Sequence, residues 1–149
     1  MLSRLLDRIR EPDEDETPGD TLELAAAVLF FEVAWADHEI SDAELAMVKH
    51  ALVSVFDIDD ATVDELLEAS KERHDDSVGM YRFTRTIVDA WTLEQRFNLV
   101  VQLWRLAYCD DHLDRYEEAA IRKIAELLYV GHGKFIEAKL IAKQFAEKG

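Results

Sequence analysis

The chain is poor in the residues that mark several common architectures. Its single cysteine, Cys109, excludes an intramolecular disulfide and any cysteine-rich zinc or iron–sulfur cluster. Two prolines and five glycines are too few for a turn-rich sheet protein and point to helices. Positive charge is scarce too: 17 Lys and Arg stand against 32 Asp and Glu, a formal net charge of −15. Such a surface repels the phosphate backbone, so no nucleic-acid partner is expected. The most apolar run, residues 24–36, is interrupted by Glu32. As a helix it reaches about 20 Å, short of the roughly 30 Å hydrocarbon layer, so no transmembrane segment is expected. The first ten residues lack the apolar core and cleavage site of a secretory signal, which makes the cytoplasm the expected location. Glycine-rich phosphate loops, serine nucleophile elbows and His-Glu-x-x-His motifs are missing, so no catalysis is expected. Cys109 follows the same line, since the neighbouring Asp110 disfavours a thiolate.

With 149 residues, 49% of them apolar, the chain can bury one sizeable core. Leu2, Leu5, Leu6 and Ile9 keep helical time, with Arg4, Asp7, Arg8 and Arg10 among them. This short amphipathic segment can dock on the body, on a second copy, or weakly on a membrane surface. Residues 11–19, EPDEDETPG, hold both prolines and a cluster of acids, the composition of a mobile linker. The expected division is therefore residues 1–19 as amphipathic segment and linker, and residues 20–149 as an all-helical domain.

Seven helices are expected in that domain. The first, residues 21–36, carries a stripe of Leu24, Ala27, Val28, Phe31 and Ala34/Trp35. Ser41 with Glu44 has capping-box spacing and opens a second helix with Leu45, Val48, Leu52, Val55 and Phe56 inward. Asp59 or Asp60 caps a third, carrying Val63, Leu66 and Leu67, and a fourth presents Tyr81, Phe83, Thr84 and Ile87. Thr92 with Gln95 opens the fifth, with Phe97, Val100, Val101, Trp104 and Ala107/Tyr108 on one face. Asp114 with Glu117 repeats the box before Ile121, Ile124, Ala125 and Leu128, and Gly131 suits a left-handed cap after that helix. The seventh, residues 133–147, presents Phe135, Ile136, Leu140 and Phe145.

A shift of 73 places Ala34, Asp37, Glu44 and Ala46 on Ala107, Asp110, Glu117 and Ala119. Trp35 then falls on Tyr108, Ile40 on Leu113, Val48 on Ile121 and Phe56 on Tyr129, which implies two related helical hairpins about a pseudo-twofold. Each hairpin has an acidic loop with two readings. As a clamp, Ser41 and Asp114 cap the next helix, Glu44 and Glu117 answer the cap amide, and Ile40 and Leu113 act as staples. As a hard-cation site, Asp37, Glu39, Asp42 and Glu44 in one loop, and Asp110, Asp111, Asp114 and Glu117 in the other, supply oxygens suited to Ca²⁺ or Mg²⁺. Neither loop follows the 12-residue calcium pattern. His38 and His112 are one register apart and read as solvated loop residues, as do His50 and His74 on helix surfaces. The shift also sets Glu32 against Arg105, a candidate ion pair near the pseudo-axis.

The two loops, the amphipathic start, the acidic linker and the stretch RKIAELLYVGH at residues 122–132 together resemble the TerB-like family, named after tellurite resistance protein B. The similarity covers residues 21–147, with residues 36–44 and 108–118 as its most specific marks. It implies an all-helical bundle of two related halves, a cytoplasmic setting, involvement in metal or stress responses, and no established catalysis. Protein partners or a homodimer fit such a module. Where that family commonly has glycine after the loop aspartate, this chain has His38 and Asp111.

Overall fold

Helical spacing of apolar residues and five polar caps set the architecture. The computed structural model describes residues 21–36, 39–74, 79–109 and 113–148, which hold seven helices and no strand. They are α1 (Leu22–Ala34), α2 (Asp42–Phe56), α3 (Asp60–His74), α4 (Gly79–Ala90), α5 (Leu93–Tyr108), α6 (Arg115–Leu127) and α7 (His132–Lys148). The amphipathic segment and linker lie outside the described residues.

Five of the seven starts have a local cause. The Thr21 hydroxyl accepts from the Leu24 amide, Asp59 accepts from the Thr62 amide at 2.8 Å, and Ser41 and Thr92 form full capping boxes with Glu44 and Gln95. The third expected box differs. Asp114 caps α6, but its carboxylate accepts from the Tyr116 amide at 2.6 Å, one residue short of Glu117. A carboxylate on a short stem can take the second free amide of the helix as readily as the third. The left-handed residue after α6 is Tyr129, at φ 58°, and its counterpart after α2 is Asp57, at φ 53°. Gly131 is not left-handed, and a Cβ there would meet open space.

The first helix is the hub. Ten of its thirteen residues are buried, because α2, α3, α4, α5 and α6 all pack against it. The stripe expected from the sequence is thus only part of an interface that runs all round. Apolar residues on every side are what a fully enclosed helix needs.

The other helices are amphipathic, and three of them turn differently from the simplest reading. In α2 the inward face is Glu44, Val48, Ala51 and Leu52, while Leu45 and Val55 are 37% and 39% exposed. The capping box draws Glu44 inward and rotates its neighbour Leu45 towards the rim. Tyr81 faces outward from α4, whose buried side is Phe83, Thr84 and Ile87. The Thr84 hydroxyl donates to the carbonyls of Met80 and Tyr81, so its burial leaves no polar debt. In α7 the residues against α5 are Phe135, Ala138 and Ala142, while Ile136, Leu140 and Phe145 are exposed. Small side chains at 138 and 142 let the two helices approach closely, which turns the larger ones out. After α6, Tyr129 stands exposed where Phe56 is half-buried.

The pseudo-repeat is larger than a pair of hairpins. The unit α1–α2–α3 matches α5–α6–α7, with α4 between them. In each unit the first helix packs on the two that follow, and across the units α1 meets α6 as α2 meets α5. Ring stacking repeats as well: Phe31 on Trp35 at 6.2 Å answers Trp104 on Tyr108 at 6.1 Å. Beyond the left-handed residues Asp57 and Tyr129 the shift becomes 72, so the buried Val63 and Ser70 fall on the buried Phe135 and Ala142. Glu32 and Arg105 do not form an ion pair among the described residues. The Arg105 guanidinium lies over the Phe145 ring instead, 4.5 Å from its centroid.

Candidate functional site

Five of the eight acids singled out by the sequence are described, and they separate into three groups. Glu39 and Asp42 are exposed, one before α2 and the other at its first residue. Glu44 and Glu117 are buried, 5% and 4% exposed, at the third positions of α2 and α6. Asp114 is the half-buried cap of α6. Asp37, Asp110 and Asp111 lie outside the described residues, together with His38 and His112. Among the described residues no three His, Cys, Asp or Glu side chains come together in a way that could hold a metal ion.

The first hairpin therefore shows clamp chemistry directly. Glu44 Oε1 accepts from the Ser41 amide at 3.0 Å, and Ser41 Oγ accepts from the Glu44 amide at 3.0 Å. Two free amides at the positive end of α2 are satisfied in this way, one of them by a carboxylate. Ile40 and Leu113 are half-buried and pack on the core just before their caps, as staples do. The second hairpin is tied across its open end. Arg96 on α5 donates to the carbonyls of Trp91 and Leu128, closing the negative end of α6. Its position in the first turn of α5 gave no sign of this long-range bond.

The two halves differ most where their third helices lie. In the second half, Phe135 of α7 packs against the fully buried Trp104, with ring centroids 5.2 Å apart. Arg122 of α6 lies over the Phe135 ring, while Lys139 reaches over Trp104 and pairs with Glu118 at 2.9 Å. In the first half, Val63 stands where Phe135 does, and a cleft of about 380 Å³ opens between α1, α2 and α3. Its walls are Phe31, Trp35, Ile40, Leu45 and Leu67. Lys49, Asp64 and Glu68 form its rim, with Lys49 and Asp64 paired at 3.0 Å.

No helix among the described residues is long and apolar enough to cross a membrane. Comparisons with curated proteins and with solved structures return no match. A family model does match: the one for tellurite resistance protein TerB covers residues 23–140, from the hub helix into α7. That span holds both acidic loops and nearly all of the paired three-helix units, and the chain belongs to the TerB family.

Proposed function

We propose that the chain is a non-catalytic cytoplasmic binding module that receives a short amphipathic helix in the cleft between α1, α2 and α3. The observation that carries this reading is the cleft: stacked Phe31 and Trp35 form its floor, and Leu45 stands 37% exposed at its edge. Helix-in-groove recognition uses such an apolar trough to receive side chains at i, i+3 and i+4 spacing. On the rim Lys49 is balanced by Asp64, and Glu68 leaves a net negative charge that favours a helix with basic flanks. The partner is another protein or a second copy of the chain, in the metal- or tellurite-linked stress setting that the family name suggests. Direct contact with an oxyanion is disfavoured by the net charge of −15. The test is a titration of isotope-labelled protein with a short leucine- and arginine-rich helical peptide, followed through the methyl signals of Leu45 and Leu67. Saturable shifts there, lost in Leu45→Glu, support the module. Their absence at millimolar peptide refutes it.

A second reading, a Ca²⁺ or Mg²⁺ site at the acidic loops, has one observation in its favour. Glu44 and Glu117, 73 positions apart, are the two buried carboxylates among the described residues, one behind each loop. Burying a carboxylate is costly without compensation, and a hard cation is one form of it. In this reading Asp37, Glu39, Asp42 and Glu44, or Asp110, Asp111, Asp114 and Glu117, supply the oxygens. Calorimetric titration with CaCl₂ and MgCl₂ decides the matter. Binding heat that disappears in Asp37→Asn or Asp110→Asn supports the site, and no heat in the parent refutes it.

A further inference from the structure

We infer that residues 1–10 of the chain itself fill the cleft between α1, α2 and α3, so that the module is occluded in cis until a partner displaces them. The inference rests on the reading of that cleft as a helix-binding trough. Three observations lead to it.

The cleft is apolar inside: Phe31, Trp35, Ile40, Leu45 and Leu67 line it, and the polar residues stand at its rim. Such walls ask for apolar side chains from an occupant. The first ten residues carry them in helical register: Leu2, Leu5, Leu6 and Ile9.

Charge favours this occupant. Residues 1–10 hold three arginines against one aspartate, a net of +2, whereas residues 21–149 carry −11. At the rim, Lys49 pairs with the 61% exposed Asp64, and Glu68 adds the second carboxylate that an arginine flanking an apolar stripe can meet. Approach of this segment to this face is therefore attractive at long range as well as in contact.

The chain is also long enough. Residues 11–20 span at most about 33–36 Å when extended. The cleft opens beside Phe31 and Trp35, at the far end of α1, about 20 Å along the helix from Thr21. The tether reaches with slack, so docking needs no second molecule. A tether of this length gives an effective concentration of the order of millimolar, enough to populate a weak contact.

The test places a nitroxide at residue 3 of the full chain (Ser3→Cys, with Cys109→Ser) and follows the methyl signals of Leu45 and Leu67. Strong broadening at both is expected, unchanged on dilution with unlabelled protein and abolished by Leu5→Glu/Leu6→Glu or by Leu45→Glu. Leu45 is exposed enough for its substitution to leave the fold intact, which the circular dichroism of α1–α7 checks. In parallel, the helical peptide should bind the Leu5→Glu/Leu6→Glu chain about tenfold more tightly than the parent. That factor is expected for a segment of roughly 0.1 mM free affinity at about 1 mM effective concentration. Broadening on another face, or broadening only between separate molecules, overturns the inference. Equal peptide affinity for both chains overturns it too, while leaving the binding module standing. A peptide that fails to bind even the Leu5→Glu/Leu6→Glu chain removes both.

Discussion

Glu44 allows the clamp and the cation site to be set against each other by number. Glu44→Gln keeps a side-chain oxygen for the Ser41 amide and removes only the charge. The lost interaction with the N-terminus of α2 is worth about 0.3–1 kcal/mol, partly returned because a neutral amide is cheaper to bury. Glu44→Ala removes the acceptor itself and leaves the Ser41 amide to find another partner. An orphaned part-buried donor costs about 1–3 kcal/mol, and the better helix propensity of alanine recovers a few tenths. The clamp therefore predicts losses of under about 1 kcal/mol for Gln and about 2 kcal/mol for Ala. For a chain of this length the second figure corresponds to a fall of about 4–8 °C in Tm. With a urea m value of about 2 kcal/mol/M, the midpoint moves by about 1 M. Urea unfolding is run on parent and both variants with chelator and again with millimolar CaCl₂. The expected order, parent above Gln above Ala, is the same in both buffers. Were Gln to equal or exceed the parent with chelator and fall below it with calcium, the clamp would be refuted. Ligand binding to the folded state would then supply the missing stability.

The close contact between α5 and α7 predicts that Ala142→Leu destabilises by about 1–3 kcal/mol through overpacking, whereas the exposed Leu140→Ala changes stability by less than about 0.5 kcal/mol. Equal effects in chemical denaturation would contradict the inward face assigned to α7. After α6, Gly131→Ala should stabilise by about 0.4–1 kcal/mol, since its Cβ meets nothing and the unfolded chain loses freedom. Tyr129→Gly, at φ 58°, should be neutral or stabilising by up to about 1 kcal/mol, and a lowered Tm for either variant would refute this account of the turn. Hydrogen bonds from the Thr62 side chain and then from its backbone amide hold the Asp59 carboxyl below the usual aspartate range. A depressed folded value contributes stability that is present above the unfolded pKa of about 3.9 and is lost as pH falls through the folded one. Carboxyl-carbon NMR should show Asp59 titrating low and Thr62→Val moving it up; an unmoved value would remove the hydroxyl from the explanation.

Helix order and starts were legible because their causes are local. Ser41 with Glu44 and Thr92 with Gln95 announce two helices through residues three apart, and both boxes form. The side a helix turns inward depends on what it meets, and there the sequence misleads in proportion to the width of the apolar arc. In α7, Phe135, Ile136, Leu140 and Phe145 drew attention by size, while Ala138 and Ala142 make the closest contact because they are small. In α1 the alanines at 25 and 26 fell outside a stripe that does not exist, since neighbours lie on all sides. Glu44 shows the same limit from the polar side: its capping role was readable, but its burial was not. For the candidate site, the repeat exposed the paired acids Glu44 and Glu117. The cleft was not legible, because its walls come from α1, α2 and α3 together and depend on how far each helix is turned.

The enclosed hub helix has a consequence for how the chain is made. Leu22–Ala34 is among the first parts of the domain to leave the ribosome, and almost every side it presents is apolar. One of its partners, α6, is complete only at Leu127, more than ninety residues later. At roughly 5–20 residues per second, that is a wait of about 5–20 s. Through this interval α1 has the composition that trigger-type holdases and misdirected nascent chains both seize. Slowing translation between α3 and α6 should therefore lower the yield of folded protein, while the same pause placed after α7 should not.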